Sequence, residues 1–63
     1  MIPKEGELVF YISNQKLAVG RVKRKVDVDK WVIQPLQPHK ELARRKRDYI
    51  FPIRGYKKYL TFS

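Results

Sequence analysis

The sequence has no cysteine, a single histidine (His39), three glycines and six acidic residues. Without cysteine there is no disulfide framework and no thiolate metal site. One histidine cannot build a zinc site, and carboxylates that could assist it are scarce. Gly6, Gly20 and Gly55 stand far apart, so no glycine-rich loop exists to cradle a phosphate. The longest apolar run, over residues 8–12, is far too short for a membrane span. The opening "MIPKEGE" lacks an apolar stretch behind a basic one, so no secretory signal is expected. These absences describe a soluble, cytoplasmic chain without cofactor, metal or membrane partner; association with a nucleoid or nucleus is compatible with them.

What the chain does have is positive charge. Fifteen Lys and Arg against six Asp and Glu give a formal net charge of +9 on 63 residues. That excess repels itself in a compact state and raises encounter rates with polyanions. Solubility alone needs much less charge. The length allows one domain, residues 1–63, and a domain this small buries only about 60% of its unfolded surface. Its core must therefore be dense.

The apolar residues recur with a period of two, which predicts strands. "GELVFYIS", residues 6–13, is rich in β-branched and aromatic side chains, with Leu8, Phe10 and Ile12 on one side and Val9 and Tyr11 on the other. "SNQK" carries an asparagine suited to a positive-φ turn position, which predicts a tight hairpin. Over residues 16–28, Ala18, Gly20, Val22, Val26 and Val28 alternate with Arg21, Lys23, Lys25 and Asp27, and Arg24 alone breaks the apolar set. A helix would scatter these cations, and its valines would disfavour it. Gly20, inside this strand, marks a bulge or bend. A third strand over residues 30–36 ends at Pro35, which has no N–H to donate. "QPHKELARRKRDY" then reads as a connecting loop with one helical turn. A fourth strand over residues 48–54 places Tyr49, Phe51 and Ile53 together, and a fifth covers residues 56–63.

Five short strands, tight early turns and an internal glycine add up to an all-β barrel, whose closure removes sticky edges; an OB-type barrel and a less closed five-stranded sheet covered by the helical segment are the alternatives. "GELVFY", a glycine–acid–x–valine opening, and "LAVGRVKRKV", a second strand with a central bend, resemble the SH3-like small barrels, including the Tudor, KOW and integrase C-terminal types. The resemblance implies a small five-stranded SH3-like barrel with a short helical turn or loop between strands three and four.

Catalysis has little to draw on. Glu5 and Glu7 share a strand face but sit near a terminus beside Lys4, and Asp27 and Asp29 suit a turn. His39 beside Pro38 reads as an exposed loop residue. The chain is therefore expected to be no enzyme, with no catalytic residues.

The cations are a better lead. Arg21, Lys23 and Lys25 would stand about 6–7 Å apart along one strand face, from the rise of ~3.3 Å per residue. Arg44, Arg45, Lys46 and Arg47 add a dense cluster on the expected loop, and Lys57 and Lys58 a third group. Arginine's planar fork suits phosphate, while lysine acts as a point charge. Tyr11, Tyr56 and Tyr59 are the aromatics free to stack on bases, whereas Trp31, Phe10, Phe51 and Phe62 are needed to fill a small core. The expected partner is nucleic acid, DNA or RNA. The rival is an acidic protein on which the chain would dock as a small interaction module or subunit. The plain alternative for the basic runs is solvation, since charge on strand edges protects against aggregation.

Overall fold

A computed structural model describes residues 2–55. Five antiparallel strands form one curled sheet in the order β4–β3–β2–β1–β5: β1 (Leu8–Ser13), β2 (Lys16–Asp27), β3 (Lys30–Pro35), β4 (Ala43–Lys46) and β5 (Ile50–Pro52). A three-residue 3-10 turn, Arg47–Tyr49, joins β4 to β5. The fold is all-β, a curled half-barrel. The strand expected over 56–63, with Tyr56, Lys57, Lys58 and Tyr59, lies outside the described residues.

The long β2 strand makes the curl. Its residues 16–21 pair with β1, and residues 20–27 pair with β3. Gly20 sits where the two ladders overlap, opposite both Val9 and Pro35. A Cβ there would stand 2.6 Å from Ile33 Cγ2 and 2.7 Å from the Gln34 carbonyl oxygen. The sheet can therefore fold over itself only because this residue has no side chain. The β1–β2 hairpin closes through Asn14 and Gln15 at φ 51° and 65°, the positive-φ pair that a two-residue hairpin turn of this hand requires.

Val9, Tyr11, Val22, Trp31, Ile33 and Ile50 form the core, with Ala18 and Ala43 packed against it. Every strand contributes. Several expectations change here. The inward residues of β1 are Val9 and Tyr11, while Leu8, Phe10 and Ile12 are half-buried on the other side. In β5 the inward residues are Ile50 and Pro52, whereas Tyr49 is exposed and Phe51 lies opposite Phe10. The parity is shifted by one residue in both strands, and because β1 pairs with β5, one shift imposes the other. Val26 and Val28 are exposed near the tip of the β2–β3 hairpin.

The segment expected to be a loop is partly a strand. After a bend and turn over residues 36–39, Ala43–Lys46 pairs with β3, Val32 facing Arg44 and Trp31 facing Arg45. The RRKR run is thus three-quarters strand. Backbone pairing to β3 fixes its side chains on alternate sides, which its helix-favouring composition did not signal.

Candidate nucleic-acid interface

Two irregularities in the β2–β3 register decide where the cations point. Val22 faces Ile33 and Arg24 faces Val32, so Lys23 is an extra residue; Lys25 faces Trp31 and Asp27 faces Lys30, so Val26 is another. Each bulge reverses the alternation that follows it. Arg21, Lys23 and Lys25 are therefore not one stripe. Arg21 points outward and donates from Nη1 to the Gly6 carbonyl at 2.7 Å. Lys23 sits in the bulge, exposed. Lys25 turns to the core side, its Nζ 5.4 Å from the centre of the Trp31 ring.

Arg24 takes the outward place instead. The ladders put Arg24, Val32 and Arg44 in one row across β2, β3 and β4, and Asp27, Lys30 and Lys46 in the next. Strand spacing of roughly 4.8 Å sets the two arginines about 10 Å apart, with the lysine row roughly 6–7 Å along the strands. Val32 is only 1% exposed although it lies on the side opposite the core cluster. The flanking arginines stand beside it, and their aliphatic stems suit covering an apolar side chain while the charged heads stay in water.

This outward face holds Arg24, Arg44, Lys30 and Lys46 against one carboxylate, Asp27. That carboxylate is engaged in its own turn, accepting from the Val28 backbone N–H at 2.7 Å. None of the four cationic side chains makes a hydrogen bond or ion pair to another described residue. Lys30 and Lys46 are direct cross-strand neighbours, an arrangement of like charges that costs stability unless something anionic covers it.

Two of the other acids are committed elsewhere. Glu7 pairs with Arg54 at 2.7 Å, and its second oxygen accepts from the Lys4 backbone N–H. Asp29 faces Arg47 at 3.8 Å, and its carbonyl accepts from the Arg47 backbone N–H. Arg47 thus ties the 3-10 turn to the β2–β3 hairpin. Of the expected carboxylate pairs, Glu7, Asp27 and Asp29 serve the fold, while Glu5 is exposed.

Arg45 departs furthest from its expected role as a loop cation. It points to the core side, where its guanidinium carbon lies 5.8 Å from the Tyr11 ring centre. Its Nε donates to the Ile12 carbonyl at 2.7 Å, and Nη1 donates to the Arg44 carbonyl. One side chain therefore bridges β4 to β1 across the open side of the half-barrel. Tyr11, expected as a free stacking ring, is 4% exposed and belongs to the core. The placement of Arg21, Lys25, Arg45, Arg47 and Tyr11 is corrected accordingly. Arg44 and Lys46 stay on an open face, and Arg24 and Lys30 join them. The trace of this in the sequence is the run Lys23–Arg24–Lys25, in which a cation occupies the place of an inward apolar residue.

Next to this face lies an open cleft of about 1010 Å³ between the β1–β2 hairpin and the 36–42 connection, with Arg24 and Arg44 among its lining residues. Among the described residues, no group of three or more His, Cys, Asp or Glu could hold a metal ion, and no helix is long and apolar enough to cross a membrane. His39 lies exposed in the 36–42 connection at φ 67°. Comparison with protein-family models, with curated proteins and with solved structures finds no match.

Proposed function

We propose that this chain is a non-enzymatic nucleic-acid-binding module of the SH3-like barrel type, gripping phosphates with the outward face of β2, β3 and β4. The observation that carries the reading is the register itself. It gathers Arg24, Arg44, Lys30 and Lys46 on one face with a single, already engaged carboxylate. The strand order, with β2 shared between two halves and a 3-10 turn before the last described strand, supports the barrel type. Opposed lysines are a stability cost that a row of phosphates removes, so binding and folding reinforce each other. Rows of cations at 6–10 Å match a phosphate backbone better than a single anionic group. Phosphate contacts of this kind position a strand but carry little sequence information.

The test is a titration of labelled single-stranded and duplex DNA and RNA of equal length at several salt concentrations. Four neutralised phosphates predict a log–log salt slope of about −3 on a single strand and about −3.6 on a duplex. Absence of binding at low salt, by protein shown to be folded, would overturn the reading. Saturable binding of polyglutamate in that circumstance would assign the face to an acidic protein.

A further inference from the structure

The cleft beside the cationic face is rimmed by apolar side chains that the fold leaves in water. Leu17, Leu36 and Leu42 all line it, at 64%, 55% and 44% exposure. They come from separate places, the β1–β2 hairpin and both ends of the 36–42 connection, yet converge on one opening. Leu36 is held there by its backbone N–H, which donates to the Val19 carbonyl at 3.1 Å. Three exposed leucines converging on one concavity form an apolar cluster of the kind that marks binding sites.

Arg24 and Arg44 belong both to this cleft and to the outward cationic row. A ligand that engages the two arginines is therefore delivered to the edge of a cleft that combines polar groups with three exposed leucines. The ligand that fits carries phosphates with flat, largely apolar groups attached at short intervals. A duplex keeps its bases stacked inside and offers the cleft nothing, whereas a single strand can turn a base out. One carboxylate, Glu41, also lines the cleft. It can accept a hydrogen bond from an exocyclic amine, as acidic side chains do from cytosine.

Resting on the phosphate-gripping reading above, we infer that the cleft receives an unstacked nucleobase, so that the module's ligand is single-stranded nucleic acid. Phosphates run over Arg24 and Arg44, and a base enters among Leu17, Leu36 and Leu42. The geometry separates two contributions. The cations supply salt-sensitive affinity common to any polyanion, and the cleft supplies a salt-insensitive increment that requires a base.

The experiment compares, by fluorescence anisotropy at several salt concentrations, a single-stranded oligodeoxycytidylate, an abasic strand of equal length and a duplex of equal length. The base-bearing strand is expected to bind about tenfold more tightly than the abasic strand, the order of one base contact. In Leu36→Ser/Leu42→Ser, both at exposed positions and checked by circular dichroism for native structure, that ratio should fall close to one. Equal binding of base-bearing and abasic strands, with a steep salt slope in both, overturns the cleft and leaves the cationic face standing. A duplex bound as tightly as the single strand also overturns it. Failure of all three probes to bind at low salt removes the phosphate-gripping reading and the cleft assignment with it.

Discussion

Arg44 and Arg45 are adjacent in sequence and have opposite fates. Arg45 lies over the Tyr11 ring and donates to the Ile12 carbonyl, bridging the mouth of the half-barrel. Arg44, one residue away, stands with Arg24 on the outward side and has no described side-chain partner. The same contrast divides Lys25, over Trp31, from Arg24 beside it. On the core side of β2–β4, Lys25 and Arg45 are part of the architecture; on the outward side Arg21 is tied to Gly6, while Arg24, Arg44, Lys30 and Lys46 have no described side-chain partner. A dense basic run is thus two populations of charge, sorted by strand parity. Only one of them is free to meet a polyanion.

That division can be broken or sharpened by substitution. The largest effect belongs to the core that both populations stand on. Ile33→Ala, at a fully buried site, should cost about 2–5 kcal/mol by chemical denaturation. Gly20→Ala should cost about 1–3 kcal/mol, because the added methyl meets the Ile33 side chain and the Gln34 backbone oxygen, and the latter cannot swing away. Arg45→Gln loses a charged donor to a part-buried carbonyl and should lower stability by about 1–2 kcal/mol, while Arg44→Gln, which only trims the stem beside Val32, should lower it by less than about 0.5 kcal/mol. Gln15→Gly, at φ 65° in the exposed turn, should stabilise by about 1 kcal/mol and leave polyanion affinity unaltered, since it acts on neither face. Lys46→Glu is the smallest change in stability and the most telling in sign. It should raise the thermal midpoint slightly by relieving Lys30 while weakening binding.

Much of the architecture was legible in the sequence because period-two alternation and turn chemistry are local. The Asn14 turn, the end of β3 at Pro35 and the bend at Gly20 all follow from what those residues can do with their own backbones. The parity of β1 was not legible. "LVFYI" is apolar on both sides, so nothing local chooses between Val9 with Tyr11 and Leu8 with Phe10; the partner strands choose. The bulges at Lys23 and Val26 escaped for a related reason: an extra residue is defined by the strand opposite, and here it exchanged Lys25 for Arg24 on the outward face. The β4 strand was hidden by composition, since Ala, Arg and Lys favour helices and only pairing with β3 makes "ARRK" extended. The cationic character of the site was therefore readable, but not which cations compose it.

The most direct test is the salt dependence of single-strand binding by Arg44→Gln and Arg45→Gln, measured side by side on folded protein. Arg44→Gln should reduce the magnitude of the log–log slope by about 0.7, one phosphate contact, and Arg45→Gln should leave it unchanged. A slope flattened equally by both, or by Arg45→Gln alone, would contradict the division of the basic run into structural and binding charge.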